Sequence, residues 1–184
     1  MPNSGRPPAR RGISPRKTVL RGHVPEQGEY FAAHAGDSPY PPGALLPAGA
    51  ALLRPVPAWY HPFVPAERPI PFDYSVIYTD RDLIVADKPH FLPTTTNGRL
   101  QLETLQTRLR VDFGEDDIVP LHRLDRLTAG LVICSRNPAT RAAYQRIFLE
   151  GSAVKRYQGV VKQPLYMDRE ITLHMHKPRG SRQV

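Results

Sequence analysis

The sequence predicts an α+β fold, with a largely antiparallel or mixed sheet and flanking helices, on three observations. Two β-rich segments flank a tight acidic turn, two stretches repeat apolar residues at helical spacing, and apolar runs of strand length separate them. Ser75–Thr79 and Leu83–Ala86, around Asp80-Arg81-Asp82, form the expected hairpin. Gln101–Val111 places Leu102, Leu105 and Leu109 on one helical face and turns Arg108 and Arg110 elsewhere. Leu131–Cys134 is a continuous apolar strand. Asn137-Pro138 then caps a second helix, expected to bury Ala143, Tyr144, Ile147 and Phe148 and to end at Gly151. Strands over Val154–Val161 and Glu170–Met175 complete the expected domain.

Composition narrows the function. The 184 residues hold 25 Lys+Arg against 17 Asp+Glu, a formal charge of +8, which suits a polyanionic partner such as nucleic acid. No apolar run is long enough for a membrane span, and no charged segment leads into a secretory apolar core, so no membrane role is expected. The single cysteine, Cys134, cannot build a disulfide framework or a thiolate zinc site, and it fits a reducing, cytoplasmic setting. Its place in an apolar strand suits an inert core thiol.

Of the 21 prolines, 15 precede Phe72, which sets the expected organisation. Residues 1–39 read as a disordered basic arm, because 1–23 carry Arg6, Arg10, Arg11, Arg16, Lys17 and Arg21 without an acid. Residues 40–71 read as a proline-rich extended strap whose Trp59, Tyr60 and Phe63 either anchor it to a core or stack on bases. Residues 72–184 form the folded domain.

Several motifs carry little. Asp112-Phe113-Gly114 spells the metal-binding tripeptide of protein kinases but lacks the glycine-rich loop and strand lysine upstream. His174 and His176 would share one face of a strand, yet no third ligand follows with convincing spacing. Glu115-Asp116-Asp117 reads as a solvated turn. The informative segment is Leu121-His-Arg-Leu-Asp-Arg-Leu-Thr-Ala-Gly-Leu131, which runs straight into the apolar strand. Asp125 between Arg123 and Arg126 is expected to stay ionised, since neighbouring cations favour the carboxylate. Such a group can serve as nucleophile or base, or simply as an ion pair fixing the loop.

His122 to Leu131 resembles the signature of the RluA-type pseudouridine synthases, His-Arg-Leu-Asp-Arg/Lys-x-Thr-Ser-Gly-Leu. Val85-Ala86-Asp87-Lys88-Pro89 is similar to the family's strand ending in Asn/Asp-Lys-Pro, and Val154-Lys155-Arg156-Tyr157 to its Lys-x-Tyr strand. The three motifs occur in order over residues 74–162. The resemblance implies isomerisation of uridine to pseudouridine in structured rRNA or tRNA, without cofactor or metal, by a monomer. It also implies Asp125 and Tyr157 as the catalytic residues, Asp125 as nucleophile and Tyr157 stacking on the target uracil and assisting proton removal from C5, with Arg123 entering the stack vacated by the flipped nucleotide. His122 and Arg126 would hold the loop or contact phosphate, and Lys155 and Arg156 add RNA contacts.

Two departures accompany it. Ala129 stands where the family usually has serine, and the later Arg-x-His-Gln-Ile-Arg type of motif, which pairs with the aspartate, is not found before Val184. The sheet is therefore expected to be incomplete at its C-terminal end. A catalytically silent RNA-binding remnant is the alternative this raises. A hydrolase-like use of Asp125 would need a second carboxylate, and none is convincingly placed.

Overall fold

A computed structural model describes residues 5–34, 38–96 and 98–160, together with Lys162, Thr172, His174 and His176. The chain divides into two units, Met1–Ala153 and Val154–Val184.

The first unit contains two antiparallel sheets. Strands β1 (Arg16–His23), β2 (Tyr30–Ala32) and β3 (Ala51–Tyr60) form one, in the order β1-β3-β2. One face buries Leu20, Ala32, Leu52, Val56 and Ala58, and Val24 and Leu46 complete that cluster. This corrects the expectation of a disordered arm over 1–39 and an extended strap over 40–71. Thr18-Val19-Leu20 lies between the cations of the arm and suits a pleated surface, so the charge count alone hid a strand. Prolines hid β3 in the same way. Strand β2 pairs only with Ala58 to Tyr60, so Pro57 lies just past its end, where only its carbonyl is engaged on that side, accepting from the Ala33 N–H (2.9 Å), and Pro55 falls where the β1 register shifts between Leu20 and Gly22. A missing N–H is tolerated at such edges and bulges.

Residues 61–70 run without regular structure and are tied to the next element through backbone groups. The Glu67 carboxylate accepts from the N–H groups of Gln101 (2.7 Å), Leu102 (3.1 Å) and Glu103 (2.9 Å). Arg108 donates to the carbonyls of Ile70 (2.8 Å) and Phe72 (2.7 Å), while Glu103 accepts from the Ile70 N–H (2.7 Å).

The second sheet takes the order β4-β5-β7-β6, with β4 at Ser75–Thr79, β5 at Leu83–Lys88, β6 at Val119–Pro120 and β7 at Gly130–Ser135. Its strands are all antiparallel, and the hairpin and the apolar strand stand where the sequence placed them. Ile84, Ala86, Val132 and Cys134 pack with Leu92, Ile118 and the helix side chains Leu105 and Leu109. Helix α1 spans Leu105–Phe113, starting later than expected. Glu67 already occupies the N–H groups of 101–103, and Thr104 caps the helix by accepting from the Thr107 N–H (3.2 Å). Gly114, at φ 64°, closes it in the left-handed conformation.

Helix α2 (Pro138–Leu149) begins at the Asn137 cap with proline in its first turn, as expected, but buries no residue. Ala143 and Ile147 are exposed and Tyr144 and Phe148 only partly covered, which corrects the expected buried face. Among the described residues α2 rests on β7, with Phe148 stacked on the His122 ring, and one strand cannot cover a whole helical stripe.

In the second unit, residues 154–160 form no strand, contrary to the expectation for Val154–Val161. All seven are exposed, without the alternating burial that a paired strand shows. The strand expected at Glu170–Met175 lies outside the described residues except for Thr172 and His174. Among the described residues, no helix is long and apolar enough to cross a membrane.

Candidate functional site

Residues 121–129 join β6 to β7 at the end of the sheet where Lys88 pairs with Gly130. The loop is fastened at four points. The Leu121 N–H donates to the Ile133 carbonyl (2.8 Å), and the Ile133 N–H donates to His122 Nε2 (3.1 Å). Accepting at Nε2 assigns the neutral ring its proton at Nδ1, and the ring stacks on Phe148 at 5.0 Å between centroids. Further along, the Thr94 hydroxyl donates to the Leu124 carbonyl (2.7 Å) and accepts from the Leu124 N–H (3.1 Å). His90 Nδ1 lies 2.6 Å from the Leu127 carbonyl.

Between these anchors the Thr128 N–H closes a turn on the Asp125 carbonyl (3.0 Å). The turn leaves Arg123, Asp125 and Arg126 exposed while Leu124 packs against the core. Gly130 then enters β7 at φ 126°, a backbone conformation that side chains avoid. The three polar residues that the sequence singled out thus stand together on one restrained turn, with His122 beneath it as a fastening.

Behind the turn sits Lys88, fully buried. It continues the inward alternation of Ile84 and Ala86, and its ammonium donates to the carbonyls of Pro89 (3.0 Å) and Leu92 (2.8 Å). Burial pulls its pKa down, and the negative charge of Asp125 pulls it back up. The site therefore sets an exposed carboxylate within electrostatic reach of a buried ammonium whose hydrogen bonds go to backbone carbonyls. Sequence reading passed over the roles of Lys88, Thr94 and His90. For Lys88 a signal existed, because alternation along β5 predicts that it faces inward.

Tyr157, Lys155 and Arg156 belong to the second unit, where all are exposed and Tyr157 is 66% accessible. An open cleft of about 550 Å³ lies at the other end of the β5–β7 pair, where Leu83 meets Ser135. Thr79, Asp80, Arg81, Glu115, Arg136 and Asn137 line it, and Arg136 is paired with Glu115.

A model of the RNA pseudouridylate synthase family matches residues 82–184, a span that includes the anchored turn, Lys88 and Tyr157. An uncharacterized RNA pseudouridine synthase of Synechocystis sp. is 33% identical over 68% of this chain and 40% of its own length. RNA pseudouridine synthase 5 of Arabidopsis thaliana is 30% identical over 61% of this chain and 32% of its own. The ribosomal large subunit pseudouridine synthase C of Rickettsia conorii is 29% identical over 59% of this chain and 36% of its own. The chain thus spans about two fifths or less of the length of these relatives. With the match covering more than half of its residues, the chain belongs to the RNA pseudouridylate synthase family.

Proposed function

We propose that the protein isomerises uridine to pseudouridine in structured RNA, with Asp125 as nucleophile. One observation carries this reading: Asp125 is exposed on a turn fastened on both sides, through Leu124 to Thr94 and through Leu127 to His90, within electrostatic reach of the buried Lys88 ammonium. The carboxylate attacks the sugar or the uracil ring, the N1–C1′ bond breaks, the base turns, and C5 bonds to C1′. C5 gives up a proton and N1 gains one. The overall change is an isomerisation, neutral in redox terms, that needs no cofactor.

Extruding a nucleotide costs a few kcal/mol, which a guanidinium plane filling the gap offsets in part, and Arg123, exposed on the turn, is assigned that role. Tyr157 is assigned to stack on the target uracil, and Arg126, Lys155 and Arg156 to contact phosphates. His122, whose Nε2 accepts from the Ile133 N–H, is assigned to hold the loop. Ribosomal or transfer RNA in the cytoplasm is the proposed substrate, acted on by a monomer; one relative's name specifies the ribosomal large subunit.

The test is pseudouridine formation in unmodified ribosomal and transfer RNA by the 184-residue chain beside Asp125→Asn. Conversion by wild type and its loss in the variant, with RNA binding retained, is the expected result. Equal conversion by both removes Asp125 as nucleophile. Binding by both without conversion establishes the silent RNA-binding alternative.

A further inference from the structure

Phe91 has φ 68°, a left-handed conformation that costs a bulky side chain dearly and persists only where its surroundings impose it. Here the surroundings do impose it. Lys88 gathers the carbonyls of Pro89 and Leu92 onto one ammonium, and Leu92 is wholly buried, so the chain curls tightly through residue 91. The strained position carries an aromatic ring, 46% exposed, that the core does not use. It stacks on Phe72, itself 44% exposed, at 5.6 Å between centroids and 30° between planes. Ile70 and Tyr74, flanking Phe72, pack against the core. The two rings thus lie together in solvent where a glycine at 91 would relax the backbone.

The pair also lies beside the candidate site. His90, adjacent to Phe91, contacts the Leu127 carbonyl, next to Arg126 and two residues from Asp125. An exposed aromatic pair beside a cationic turn suits an unpaired nucleotide, whose base stacks on a ring while its phosphates meet the guanidinium groups.

We infer that Phe91, supported by Phe72, is a base-stacking platform for an unpaired nucleotide adjoining the one that enters the Asp125 site. The inference rests on the reading that the substrate is RNA. Strain at Phe91 is retained because the ring serves a ligand, so relieving it trades affinity for stability.

The experiment compares the wild-type chain with Phe91→Gly and Phe91→Tyr. It measures binding of a short single-stranded oligouridine, photocrosslinking of the same RNA carrying one 5-iodouridine, thermal unfolding and pseudouridine formation. Phe91→Gly is expected to bind at least about fivefold more weakly, with a Tm no lower than wild type, while Phe91→Tyr binds like wild type. The crosslink is expected on Phe91 or Phe72. Undiminished binding by Phe91→Gly, a fall in its Tm, a crosslink elsewhere, or no RNA binding by wild type overturns the platform. Undiminished binding with pseudouridine formation intact removes the platform alone. A Phe91 effect on binding without any pseudouridine formation leaves the platform and removes the proposed activity.

Discussion

The Thr94 hydroxyl and the Leu124 backbone form a closed pair of hydrogen bonds, donating to the carbonyl at 2.7 Å and accepting from the N–H at 3.1 Å. One side chain thereby replaces the ladder partner that Leu124, outside any strand, would otherwise lack. The residue held in this way is the immediate neighbour of Asp125, so the carboxylate inherits its position from Thr94.

Thr94→Val keeps the shape of the side chain but leaves both Leu124 groups without this partner. The expected cost is about 1–3 kcal/mol in denaturant unfolding. The turn should loosen as well. In single-turnover assays with RNA the rate should fall more than affinity does, and Thr94→Ser should restore most of it, whereas a purely structural role would leave the rate untouched.

Lys88→Met removes the ammonium from the Pro89 and Leu92 carbonyls, at an expected cost of about 1–3 kcal/mol. The pH dependence has a definite sign. Burial depresses the folded-state pKa of Lys88, so between that value and its ordinary one the unfolded chain holds a proton that the folded chain has released. Stability from this group therefore rises with pH across the alkaline window, and it is absent in the methionine variant. Urea titrations should show the gap between wild type and Lys88→Met widening as the pH climbs. A gap that is constant or shrinks would disprove the assignment.

Cys134 is wholly enclosed between the sheet and α1, and burial pushes its thiol up to about 12. Its thiolate is accordingly scarce at neutral pH. Iodoacetamide at pH 8 should leave the native chain unlabelled and alkylate it fully in denaturant. Rapid native labelling would mean that β7 opens readily.

The second sheet was legible because its strands and α1 obey simple periods, as Ile84 and Ala86 or Leu105 and Leu109 show. Asp125 and its arginines were legible because they stand side by side in sequence. Partners brought from a distance were not. Thr94 reaches Leu124 across thirty residues, and nothing local in Thr94-Thr95-Thr96 distinguishes the hydroxyl that does so. The onset of α1 moved for the same reason, since Glu67 holds the N–H groups of residues that periodicity assigned to the helix. Sheet β1-β3-β2 was missed because proline and arginine counts describe a segment's average, whereas Leu20, Val56 and Ala58 form a face only when β1 and β3 are paired.

Among the described residues strand β1 pairs with β3 alone, and the partner of Arg16 is Tyr60. During synthesis β1 therefore leaves the ribosome long before the strand it needs, and must wait as an unpaired β-former. Its apolar stretch, Thr18-Val19-Leu20, is bracketed by Arg16, Lys17 and Arg21, all exposed in the folded protein. Such flanking charges act as gatekeepers, repelling a second nascent chain from the same edge. Replacing them with neutral residues would leave the native pairing intact while turning the waiting strand into a seed for aggregation.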